Sequence, residues 1–98
     1  MRRRRIGARA RRDLKEIWRY TGETWGIEQA DRYNHSLNDV FDRLASFPEI
    51  GRDRPDIGAG VRVFRAERHV VLYRIELNGI VVLRVVHQSM SLAGIELT

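Results

Sequence analysis

Three histidines, His35, His69 and His87, are the side chains best suited to move protons near neutral pH. Two of them lie in one stretch, residues 68–90, RHVVLYRIELNGIVVLRVVHQSM, which ends in the polar cluster His87-Gln88-Ser89-Met90. Ser89 beside His87 suggests a nucleophile with its base. No nucleophile elbow surrounds them, however, and neighbours two apart at a strand end give a poor general-base geometry. His69 and His87 could serve as acid and base in RNA cleavage, but the strand register derived below sets them on opposite faces. Asp53 and Asp56 read as turn residues. The chain has no cysteine, so disulfides and thiolate metal sites are excluded. The histidines do not have the spacing of metal ligands. No catalytic residue, metal or cofactor is therefore expected.

The elements that must position these residues can be read from periodicity. Ala10, Leu14, Ile17, Trp18 and Thr21 form a one-sided stripe that predicts a helix over 8–24. Gly7 is its N-cap, Asp13 suits the helix dipole, and Gly26 follows its end. Ala30, Tyr33, Leu37, Val40, Phe41, Leu44 and Ala45 predict a second helix over 27–46, which Phe47-Pro48 stops. So short a connection makes an antiparallel helix hairpin. Trp18 and Trp25 read as core and helix-end packing. Residues 47–60, FPEIGRDRPDIGAG, form a loop. Val61–Arg65 is a short strand, and 68–90 is a hairpin turning at Asn78-Gly79 in a type I′ turn. Met1–Ile6 is either a solvated tail or a short edge strand blunted by charge. The fold class is α+β in one domain spanning 1–98: an N-terminal strand, an antiparallel helix hairpin, then a three-stranded antiparallel sheet.

Charge and length add constraints. Residues 1–12 hold seven Arg and no acid, giving +7. The remaining residues are near neutral at −2, for a total of +5. The Arg run lacks interleaved aromatics, so direct sequence-specific nucleic-acid binding is not expected. No apolar run reaches the ~20 residues that cross a bilayer, and no secretory signal follows the basic start. A cytoplasmic protein without membrane association is expected.

Register carries the main expectation. A turn at 78–79 makes Ile75 face Val82, Tyr73 face Arg84 and Val71 face Val86 on one side. The other side then pairs Arg74 with Leu83, Leu72 with Val85 and Val70 with His87. Tyr73 would stack on Arg84. Both sides are apolar, whereas a half-solvated antiparallel sheet should alternate. One helix hairpin covers one face only. The second face, Val70, Leu72, Leu83 and Val85, needs another cover: the 47–60 loop or a partner chain.

The segments ARRDLKEIWRYTGETWG, EQADRYNHSLNDVFDRLASFPEIGRDRP and GVRVFRAERHVVLYRIELNGIVVLRVVHQSM occur in an order that resembles the ParE branch of the RelE/ParE toxin superfamily of bacterial toxin–antitoxin systems. The resemblance implies a growth-arresting toxin, as in plasmid stabilisation. It also implies a ParD-like antitoxin that lays a helix and an extended segment into a hydrophobic groove, here Val70, Leu72, Leu83 and Val85. The implied target is DNA gyrase, with His87, Gln88, Ser89 and Met90 as the docking edge. Two alternatives are a RelE-like ribosome-dependent mRNA endonuclease and a non-toxic antitoxin-binding module. Against the endonuclease, the basic positions of the RelE site are here Val70 and Ser89, no Tyr follows in SLAGIELT, and no lysine follows Lys15.

Overall fold

The computed structural model describes residues 3–98; Met1 and Arg2, part of the N-terminal segment discussed above, lie outside the described residues. Strand β1 spans Arg3–Ile6, helix α1 Ala8–Trp25 and helix α2 Ile27–Ser46. A 3-10 turn, Pro48–Ile50, leads to β2, Arg52–Asp53. Strands β3 (Arg62–Ala66), β4 (His69–Glu76) and β5 (Gly79–His87) follow. The five strands form one mixed sheet in the order β1-β5-β4-β3-β2. The α+β class is as expected, and the sheet is wider by β1, which runs parallel to β5, and by the two-residue β2.

Both helices end where their punctuation predicts. Gly26 closes α1 and opens α2 with φ 97°, a conformation that L side chains rarely adopt. The apolar stripes of α1 and α2 lie on one sheet face. There Ala10, Leu37, Phe41 and Leu44 pack against Val71, Tyr73, Ile80, Val82 and Val85. Arg3, Arg4 and Arg5 are not a free tail. In β1, Arg4 turns to the helices, bonding Asp42 at 2.6 Å and lying over the Phe41 ring, while Arg5 pairs with Glu76.

The register departs from expectation in two steps. Glu76 pairs with Gly79, so the turn is Leu77-Asn78, with positive φ at Asn78 (69°) alone. It is therefore not type I′. Gly79 is held in β5 because any Cβ there would collide with the Arg3 backbone of β1. This two-residue shift preserves which side each residue faces. The second step does not. Tyr73 pairs with Val82 and Leu72 with Arg84, leaving Leu83 without a partner, and a bulge of this kind reverses the alternation beyond it. Val85 therefore lies in the helix-side core, Val86 takes its place on the second face, and His87 pairs with His69 rather than Val70. Tyr73 does not meet Arg84. Its hydroxyl donates to Pro48 O (2.7 Å) and accepts from Gly51 N–H (2.9 Å), anchoring the loop.

Arg84 instead pairs with Asp13 of α1 through two contacts of 2.8 and 3.2 Å, and the same carboxylate accepts the Val85 N–H at 2.9 Å. Strand β1 covers β5 only as far as Val82. Past that point Asp13 satisfies the strand edge, a need that local sequence does not reveal. Asp13 is thus a tertiary partner, more than a helix-dipole charge.

The second face is covered by the chain itself. Val61, Leu72, Val81, Leu83 and Val86 are buried there, with Ile57 of the loop and Leu92, Ile95 and Leu97 of the C-terminal tail packed on them. Leu72 is 0% exposed and Leu83 8%. Of the two covers expected, the loop supplies one residue; the apolar tail supplies the rest.

Asp13→Ala should destabilise the fold by about 3–5 kcal/mol, because it leaves the Arg84 guanidinium buried without its counter-charge and the Val85 N–H without an acceptor. Equilibrium urea unfolding measures this. A change under about 1 kcal/mol would show that the pair is not a structural anchor.

Candidate functional site: a histidine-lined cleft at the end of the sheet

The bulge in β5 creates a site that the simple register forbids. Strand β4 begins at His69 and β5 ends at His87, and the two are directly opposite. Their rings lie 5.6 Å apart at 82°, edge to face. Beyond them the Arg68 carbonyl accepts the Gln88 N–H at 2.8 Å, holding the strand ends together. The β3–β4 turn places Glu67, at φ 54°, and Arg68 beside the pair.

The helices supply the other wall. Ile17, Tyr20, Thr21 and Trp25 come from α1, and Gln29 and Tyr33 from α2. With Glu67, Arg68, His69 and His87 they enclose a cleft of about 480 Å³. That volume is within the range of sites that hold small ligands or peptide side chains. Trp25 (61% exposed) and Tyr20 (67%) stand open to solvent, so Trp25 is not helix-end packing alone. Trp18 is also partly exposed, with its indole N–H donated to Asp31 at 3.0 Å, and is not a core residue.

Hydrogen-bond partners assign the tautomers. The Tyr33 hydroxyl accepts the Arg68 N–H at 3.3 Å and lies 2.6 Å from His69 Nδ1. Burial holds the phenol above its ordinary range, so it is neutral and gives its own proton to Nδ1. His87 Nδ1 accepts the Ser89 N–H at 3.1 Å and lies 2.8 Å from Ser89 Oγ. Each neutral imidazole therefore carries its proton on Nε2. Burial, then the neighbouring His87, lowers His69 to about 4, so its ring is neutral at pH 7. The arrangement offers N–H donors, with the ring lone pairs already taken. It does not offer the free base that acid–base cleavage or metal ligation requires. Among the described residues no group of three or more His, Asp or Glu side chains is placed to hold a metal.

The residues singled out from sequence divide. His87, Gln88, Ser89 and Met90 are all exposed, and His87 lines the cleft. Val70 is half-buried on the second face, Leu72 and Leu83 lie beneath the tail, and Val85 is on the helix side. His35 is exposed on α2, away from the cleft. The sequence reading missed Tyr33, Arg68, Tyr20 and His69 as one site. The aromatics of α1 were the available signal, Tyr20 off its apolar stripe and Trp25 at its end.

Comparison with known proteins gives a match over residues 5–92 to a family described as "ParE toxin of type II toxin-antitoxin system, parDE". The chain belongs to the ParE toxin family. It is 37% identical over 87 residues to "Toxin ParE1" of Caulobacter vibrioides, covering 89% of this chain and 90% of that protein. It is 40% identical over 82 residues to "Toxin ParE1" of Mycobacterium tuberculosis, covering 83% and 84%. Its fold matches a solved structure titled "Chromosomal ParDE TA system from P. aeruginosa" with a TM-score of 0.76 at 22% identity, over 89% of this chain and 96% of that one. This ParE-family chain is thus the toxin of a type II toxin–antitoxin system, whose partner is an antitoxin. No helix among the described residues is long and apolar enough to cross a membrane. Ile95 and Leu97, which help to cover the second face, lie beyond the end of the ParE family match.

His69 also makes stability depend on pH. Its folded value, about 4, is below the ordinary 6.5, so between these limits the unfolded chain binds more protons. The contribution is fully present above about pH 6.5 and is lost as pH falls toward 4. NMR titration of the ring should show a midpoint near 4 that rises in His87→Ala, since that change removes a neighbouring positive charge. A midpoint near 6.5 in the wild type would contradict the burial argument.

Proposed function

We infer that this toxin arrests growth by binding DNA gyrase in the cytoplasm, and that a ParD-like antitoxin neutralises it. The family match over 88 of the 98 residues carries the reading. The exposed turn His87-Gln88-Ser89-Met90 is the proposed target-docking edge. All four residues are exposed, and the Met90 N–H bonds the His87 carbonyl at 2.9 Å to close the turn. A mechanism by binding, without bond cleavage, agrees with the chemistry around it. The RelE-type basic positions are Val70 and Ser89, and the imidazole lone pairs nearby are engaged. Growth arrest by gyrase poisoning should leave transcripts uncut, whereas a RelE-like endonuclease would leave codon-phased ends in primer extension.

For the antitoxin, the proposed groove is the second sheet face, with Val86 replacing Val85 beside Val70, Leu72 and Leu83. The toxin's own tail occupies that face in the lone chain. Residues 91–98 form no helix or strand. Their fixed points are Arg84 Nη1 to Glu96 O at 2.6 Å, an exposed Arg9–Glu96 contact at 3.3 Å, and three half-buried apolar side chains. An exposed ion pair contributes little, about 0–1 kcal/mol. The tail is therefore a cover that an incoming apolar segment can displace.

In a supercoiling assay with purified gyrase, the folded toxin should inhibit in a dose-dependent way, and a ParD-like antitoxin should reverse it. Full supercoiling at large molar excess would remove gyrase as the target. Deleting residues 92–98 should raise dye binding to exposed apolar surface and tighten antitoxin binding roughly 10-fold or more, since the competing cover is gone. Unchanged affinity would place the antitoxin groove elsewhere.

A further inference from the structure

The cleft holding His69 and His87 has a chemistry that neither the turn nor the second face explains. Its walls are aromatic: Tyr20 and Trp25, two of the most exposed large side chains in the protein, stand at its mouth. At its other end the two imidazoles each have Nδ1 occupied from behind, by Tyr33 and by Ser89, so both present Nε2–H donors. The Arg68 guanidinium stands next to them and makes no ion pair or side-chain hydrogen bond among the described residues. Glu67 of the same turn also lines the cleft, with its charge felt at the Tyr33 phenol, so an acceptor must sit on the side of Arg68 and the two imidazoles. An occupant must therefore bring an apolar body to Tyr20 and Trp25 and an anionic acceptor to the imidazoles and Arg68. Exposed Trp and Tyr with an unpaired Arg are the composition of a protein-binding hot spot.

We propose that this cleft captures an acidic, apolar-anchored peptide segment of a protein partner, a Leu- or Phe-type side chain between Tyr20 and Trp25 with an adjoining carboxylate bound by His69, His87 and Arg68. The proposal rests on the reading that the protein works by binding other proteins, and it adds a pocket to the docking edge at His87. The three donors, and not the net charge of the cleft, select the occupant. A metal ion would need the lone pairs of nitrogens that here carry protons, and a basic peptide would meet Arg68 and the outward N–H groups.

The test uses the folded 98-residue protein and two blocked dipeptides, N-acetyl-Leu-Glu-amide and N-acetyl-Leu-Gln-amide. NMR follows the His69 and His87 rings and the Trp25 indole. The acid should shift all three saturably and bind at least about fivefold more tightly than the amide, because its hydrogen bonds are charge-assisted. Trp25→Ala should weaken both ligands alike and His87→Ala should remove the preference for the acid, both at exposed positions and with the circular dichroism spectrum unchanged. Equal binding of acid and amide overturns the proposal, as do shifts confined to other residues. Tighter binding of adenosine monophosphate at the same resonances would also overturn it, assigning the cleft to a nucleotide. The gyrase assay separates this proposal from the functional reading. A protein that selects the acid but spares gyrase keeps the cleft and loses the target; one that inhibits gyrase without selecting the acid does the reverse.

Discussion

The carboxylate of Asp13 is the point on which the arrangement of the sheet depends. It lies in α1, yet it neutralises the buried guanidinium of Arg84 and accepts the N–H of Val85 on an edge that β1 is too short to cover. A buried charge without a partner is costly, and a buried N–H without an acceptor nearly as much. Both needs fall at the place where β5 bulges. Arg84 also reaches round to Glu96 O, so one cluster joins the helix layer, the strand edge and the tail. The reversal of facing at Leu83 lies beside this cluster, and with it comes the meeting of His69 and His87.

Much of the architecture was legible in the residues. The second helix spans 27–46 in both sequence and structure, because a regular 3.6-residue stripe is bounded by Gly26 and by Phe47-Pro48. The two-sided apolar character of the hairpin was equally clear. Register was not, for reasons that are tertiary. Asn78-Gly79 is a strong local turn signal, but Gly79 is needed as the close-approach residue beside Arg3, which moves the turn back by one. The residues just past the bulge are held by an acid 71 residues away from Arg84. No local pattern encodes either.

The candidate site shows the same division. The polar cluster at 87–90 was visible as a break after a β-branched run. Its neighbours His69 and Tyr33 were hidden, since only the reversed alternation places His69 on the same side and only the packing of α2 brings Tyr33 to it. The tail was hidden for another reason. Leu92, Ile95 and Leu97 have neither helical nor strand period, so the burial of Leu72 and Leu83 had no sequence signature. The apolar second face was a sound inference; its cover came from the same chain.

The parallel pairing of β1 with β5 sets Arg3 against Gly79 and Ile6 against Val82. Residues 3–6 thus find their place only once residues 79–82 have emerged. Until then a nascent chain carries an unpaired basic strand and an incomplete sheet, and contacts this distant in sequence close slowly. The sheet therefore cannot be completed piecewise: its edge next to β5 closes only after the hairpin of β4 and β5 exists.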